Sequence, residues 1–237
     1  MPIYRIADLN VEVNPKFKIC RKRLESYAVK SNESGKTDIA ISVSDDEIRE
    51  RLRLADNLSE QGAEDVLILS KFCNAVLDGF DGFFFHSSCL ELDGEGYVFS
   101  AVSGTGKSTH TALWRRHFGN RVTMINDDKP VIRKCDGKFY AYGTPWMGKA
   151  DIGTNTKAPV KAVYILQGAE ENTAVRVLPS QVMKQLLEAT VIDVERSRME
   201  KLLELLDEFF KETPLFLLGC NMDESAVMTA YNAANGG

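Results

Sequence analysis

The chain has 237 residues, enough for one large domain or one domain with a small appendage. Its 44% hydrophobic and 27% charged content is that of an ordinary globular protein, and its net charge of −5 argues against a nucleic-acid partner. No apolar run approaches a membrane span, and the first ten residues lack a signal peptide's basic and apolar regions. Five scattered cysteines (Cys20, Cys73, Cys89, Cys135, Cys220) without C-x-x-C spacing read as reduced thiols of a cytoplasmic protein.

In chain order, the alternation over Ile3–Val13 predicts an early strand, turned into a hairpin around Asp8–Asn10 and broken by Asn14-Pro15. KFKICRKR then sets five positive charges between Lys16 and Arg23. No aromatic interleaving suggests base stacking, so the run reads as a solvated edge. SNESGKT is a loop, and Asp38–Val43 a strand. Ser44 caps a charged amphipathic helix, with Glu47 at the capping-box position. Ala63–Leu77 is a more apolar helix, stopped by Asp78-Gly79 and Asp81-Gly82. Nothing in residues 1–80 carries recognisable chemistry. They are expected to form a small α/β subdomain flanking a catalytic domain over 81–237.

Phe83–Leu92 predicts a strand containing His86, a lone histidine among phenylalanines that is either a hydrogen-bonded core residue or a functional one. Asp93–Gly96 is a hairpin turn, which makes part of the sheet antiparallel. The next stretch, YVFSAVSGTGKST over 97–109, organises the rest. Tyr97–Val102 reads as a buried strand, Ser103–Gly106 as a glycine turn, and Lys107 onward as a helix. Gly104 and Gly106 let amide groups turn inward around phosphate oxygens, and the helix start adds its free N–H groups and positive dipole end. Lys107 suits β- and γ-phosphates, and the Ser108 hydroxyl suits Mg²⁺. The loop departs from G-x-x-x-x-G-K-[ST] only at Ala101, which stands at the first glycine position. The candidate nucleotide contacts are therefore Ser103, Gly104, Thr105, Gly106, Lys107, Ser108 and Thr109.

VTMI over 122–125 is a short buried strand ending in Asn126-Asp127-Asp128. Two carboxylates one helix beyond a phosphate loop can divide the work, one holding Mg²⁺ and the other taking the proton of an attacking hydroxyl. VIRKCDGKFYAY predicts two strands around Asp136-Gly137. Residues 143–159 then form a seventeen-residue stretch with three glycines, two prolines and no period. That is either a substrate or nucleotide lid, with Trp146 as an apolar anchor and Lys149 and Lys157 as phosphate or acidic-group contacts, or a surface flap with one packed tryptophan. Strands at 160–166 and 174–178, helices at 181–190 and 196–211, a strand at 215–218 and a closing helix at 225–234 complete the chain.

HSSCLELDGEGYVF, SGTGKST, NDDKPVI and GTPWMGK together resemble the HPr kinase/phosphorylase and phosphoenolpyruvate-carboxykinase-like group of P-loop proteins. The resemblance covers about residues 80–220. It implies an α/β fold with a mixed β-sheet P-loop core, flanking helices and the small N-terminal subdomain. It also implies ATP and Mg²⁺ at the loop, with Ser108, Asp127 and Asp128 as metal ligands and Lys107, His86, Asp127 and Asp128 as catalytic residues. Asp127 would deprotonate a serine hydroxyl. Where HPr kinases carry an E-x-R-G-x-G-type signature after the aspartates, this chain reads FYAYGTPWMGK. The expected activity is an ATP-dependent kinase acting on a serine of a small protein or peptide. The alternatives are a small-metabolite kinase, a carboxykinase-like phosphotransferase or a non-catalytic nucleotide-binding protein. Neither a membrane nor nucleic acid is expected as partner, and the apolar helical faces are compatible with a homo-oligomer.

Overall fold

The structure, a computed structural model, describes residues 1–30, 35–102, 104–190 and 196–236. Among them, seven α-helices and twelve strands form two sheets. The smaller sheet pairs β1 (Ile3–Ile6) antiparallel to β2 (Leu9–Val13), and β2 parallel to β3 (Ile39–Ile41). Ala7 and Asp8, both with positive φ, make the two-residue turn between β1 and β2, the conformation that matches strand twist in a tight hairpin. Three helices belong to this part: α1 (Lys18–Leu24), α2 (Asp45–Arg53) and α3 (Glu60–Gly79). The capping box of α2 forms as expected, with Ser44 and Glu47 bonding each other's backbone amides. Most of the stretch read as a solvated edge is instead α1, because Cys20 and Leu24, four apart, are buried on one face, and Arg23 pairs with Asp65 of α3. The predicted 31–37 loop lies partly outside the described residues.

The larger sheet runs β4 (Gly82–Phe84), β8 (Val131–Cys135), β9 (Lys138–Tyr142), β10 (Lys157–Gly168), β6 (Glu95–Ser100), β5 (Ser88–Leu92), β7 (Val122–Asn126). Its long strand β10 also pairs with β12 (Leu215–Cys220), which carries β11 (Thr173–Arg176) at its side. The sheet is mixed: β10 lies parallel to β6 and β12, whereas the β5, β8 and β9 ladders are antiparallel. Alternate residues of β6 face opposite cores. Val98 packs with Leu186, Leu202 and Phe209 of α5 (Met183–Thr190) and α6 (Arg196–Glu212). Tyr97 and Phe99 pack with Trp114 of α4 (Lys107–Phe118) and Val227 of α7 (Ser225–Asn235). A third core joins the small sheet and α3 to Phe84, Val131 and Tyr142 of the large one and to Trp146 in the connection between β9 and β10.

The single strand expected over Phe83–Leu92 is two strands in different parts of the sheet. Three successive amides leave the ladder at the break. Phe85 donates to the Pro130 carbonyl (3.2 Å), His86 to Ala189 (2.7 Å) and Ser87 to Asp128 (3.1 Å). Every buried amide is satisfied off the ladder there, which lets the chain cross from β8 to β6 without an orphaned donor. His86 therefore sits at a crossing beside Asp128.

Candidate functional site

Strand β6 ends at Ser100, and α4 starts seven residues later at Lys107. Gly104 and Gly106 have φ of 84° and 104°, a left-handed backbone that only glycine adopts without cost. The turn is closed by Thr105, whose amide (3.1 Å) and hydroxyl (2.8 Å) both reach the Val102 carbonyl. Thr105 thus turns away from the cleft that Gly104, Gly106, Lys107, Ser108 and Thr109 line. Ser103 lies outside the described residues. Whereas α2 and α3 begin on the capping hydroxyls of Ser44 and Ser59, α4 begins on Gly106 with no side-chain cap. Its first amides are left for an anion. Lys107 is half-buried with Nζ 3.4 Å from the Ala101 carbonyl. Burial lowers its pKa, against the attraction of Asp128 and Asp127.

Asn126, fully buried at the end of β7, builds the turn that presents the two acids. Its Oδ1 accepts the amides of Asp128 (2.8 Å) and Lys129 (2.6 Å), and its Nδ2 donates to the Thr144 carbonyl (2.9 Å). Asp127 is 8% exposed and accepts the Ser88 hydroxyl, which also lies 3.1 Å from the Thr111 hydroxyl of α4. The second oxygen of Asp127 has no partner among the described residues. Asp128 differs. One of its oxygens lies 3.0 Å from His86 Nε2, and the other pairs with Lys129. Burial pushes the Asp128 carboxyl up, but the bonds from His86 and Lys129 outweigh it and hold its pKa at about 2.

His86, the phosphate loop and both acids line one cleft of about 970 Å³. The opposite wall comes from residues where the sequence showed no chemistry. Arg23 of α1 and Asp65 of α3 meet at 3.1 Å, and Trp146 Nε1 donates to the same Asp65 oxygen at 3.1 Å. Burial raises the Asp65 pKa, with Arg23 and Trp146 acting against it. The neighbouring Glu64 accepts the Lys16 and Phe17 amides ahead of α1, so two successive acids of α3 fix that helix. The only signal for Asp65 in the sequence was two acids inside an otherwise apolar helix.

The 143–159 stretch is neither lid nor flap in its first half, since Gly143–Met147 are all buried. Trp146 is the expected anchor, stacked on Phe72 at 5.8 Å. Lys149 lines the cleft. Lys157 opens β10 and pairs with Asp8, away from the cleft lining. Two carboxylates and the Ser108 hydroxyl on one cleft make a hard-oxygen donor set, the kind Mg²⁺ takes when phosphate and water fill its remaining positions.

No family model and no curated protein matches the chain. Among solved structures it is similar to the Hpr(Ser) kinase/phosphatase from Coxiella burnetii. The two share 12% identity over 65% of this chain and 93% of that one, with a TM-score of 0.36. That is a distant likeness of fold. No helix among the described residues is long and apolar enough to cross a membrane.

Proposed function

We propose that the protein is an ATP-dependent kinase that transfers the γ-phosphoryl group to a hydroxyl, with a serine side chain as the acceptor. The observation that supports this most is the convergence, on one cleft, of an uncapped glycine-loop helix, a half-buried lysine and an aspartate pair. Gly104, Gly106 and the first amides of α4 cradle the phosphates, and Lys107 neutralises the β- and γ-oxygens. Ser108 and Asp128 would hold Mg²⁺, which would supply charge neutralisation on the phosphates. The acceptor oxygen bonds to the γ-phosphorus, the bond from that phosphorus to the β-bridging oxygen breaks, and ADP leaves. Asp127 takes the hydroxyl proton. It is the better base of the two, because its bonded partner is neutral Ser88 and one oxygen is open, whereas Asp128 is held ionised by two donors.

The test is ATP binding and phosphoryl transfer by the wild type, Lys107→Ala and Asp127→Asn. Lys107→Ala is expected to weaken ATP binding at least tenfold. Asp127→Asn should still bind ATP and lose roughly 10²–10⁴-fold in transfer rate, the usual worth of a positioned base. Full turnover in both variants would remove the assigned roles.

A further inference from the structure

A second cleft, of about 580 Å³, adjoins the first, and the walls of the two share Arg23 and Gly148. The shared glycine places the junction. Gly148 has a φ of 72°, and a Cβ built on it would lie 2.9 Å from the Asp128 Cβ. The junction of the two clefts therefore lies against Asp128, the second of the aspartate pair. On its other side stands Arg23, engaged through Nε by Asp65, which is itself tied to the packed Trp146. That ion pair holds the guanidinium where the two clefts meet, and its two Nη groups have no partner among the described residues. A guanidinium engaged this way can still receive a second carboxylate end-on, through both Nη groups. The second cleft continues from there past apolar Ile19, Pro145 and Met147 and past charged Lys22, Glu25 and Asp151. Its length of mixed lining suits an extended chain better than a single small molecule.

We infer that the second cleft is the acceptor subsite, and that it takes a peptide segment in which an acidic residue stands next to the serine that is phosphorylated. The serine hydroxyl lies at the junction by the aspartates, the acidic neighbour reaches the Arg23 fork, and the rest of the segment follows the second cleft. Asp65 is a positioning residue, acting through Arg23. The charges deeper in the second cleft are one cation, Lys22, against two acids, Glu25 and Asp151, so Arg23 at the junction is the cation that selects the acidic neighbour. This rests on the phosphoryl-transfer reading above.

The experiment offers the whole protein a degenerate library of serine peptides, randomised at three positions on each side, with labelled ATP, while ATP affinity is measured separately. Wild type is expected to enrich Asp and Glu at one position adjacent to the serine by at least fivefold. Arg23→Gln should abolish that enrichment, and Asp65→Asn should weaken it and raise acceptor KM more than it lowers kcat. Arg23→Lys, a point charge without the fork, should recover it only partly. Transfer without an acidic preference, or a preference that survives Arg23→Gln, overturns the inference and leaves the kinase reading standing. ATP binding without labelling of any peptide overturns it as well, and returns the acceptor to small molecules. Failure of wild type to bind ATP is the separate result that removes the kinase reading itself.

Discussion

At the scale of single residues, the two aspartates are adjacent in sequence and chemically unlike. Asp128 meets His86 and Lys129, and its carboxyl is held at about 2 although burial pushes the other way. A carboxyl in an unfolded chain titrates near 3.9. Because the folded value is the lower one, Asp128 contributes stability that is fully present above about 4 and is lost as pH falls towards 2. Each tenfold drop in proton affinity on folding is worth about 1.4 kcal/mol, so the contribution is of order 2 kcal/mol. Urea unfolding at pH 5, 3 and 2 checks this. Wild type should lose that increment between pH 5 and 2, and Asp128→Asn should show a flatter decline. Equal slopes would mean that His86 and Lys129 contribute nothing through Asp128. The same contacts explain why the local sequence left His86 open between a core and a functional place, and only the resemblance put it among the site residues. A histidine after three phenylalanines looks like a core residue in a strand, and only the departure of three amides to Pro130, Ala189 and Asp128 turns it into a partner for the acid.

At the scale of elements, strand–loop–helix was legible around Gly104 and Gly106 because each part has a local cause. The apolar run over 97–102 cannot continue through two left-handed glycines, and the helix needs no signal beyond its own spacing. Arg23 and Asp65 were not legible. They meet because Glu64 anchors the chain entering α1 and Cys20 and Leu24 pack in the core that α3 shares, contacts such as Lys16 to Glu64, 48 residues apart, that no local pattern encodes. The uncapped start of α4 carries its own prediction. With no side-chain cap at Gly106, the proposed function has the phosphates of ATP complete that turn. Saturating ATP at about 100 times its Kd should raise stability by about 2.7 kcal/mol. In hydrogen exchange, the gain in protection should be concentrated at residues 106–109 and absent from the Ser44-capped start of α2. Slowing spread evenly over both helices would show that the phosphates do not sit on α4.

At the scale of the whole molecule, the question is what holds the N-terminal sheet, and with it Arg23, against the large one. Most of the seam is apolar, with Tyr4, Ile6 and Phe72 packed on Phe84, Tyr142 and Trp146. One buried cation crosses it. Arg133 of β8 donates to the carbonyls of Phe80, at the end of α3, and Ala7, in the β1–β2 turn. Its guanidinium also lies over the rings of Phe80 and Tyr142, at 5.7 and 5.6 Å. No carboxylate is among these partners, so the cation is held by carbonyls and ring faces. Nearby, Lys157 pairs with Asp8 on the surface at 2.5 Å, with side chains 44% and 53% exposed. The two ties should differ in worth. An exposed pair contributes about 0–1 kcal/mol, so Asp8→Ala should barely move the unfolding midpoint. Arg133→Met keeps the apolar bulk but strands two carbonyls, each costing about 1–3 kcal/mol if it stays buried, so a loss of roughly 2–6 kcal/mol is expected. The loss should also be local at first. Amides of β1 and β2 should exchange sooner than those of β6 and β10, because the turn at Ala7 is the end released. A drop in stability with uniform exchange would instead make Arg133 part of the large sheet's own core, and the hairpin's attachment would rest on its apolar seam alone.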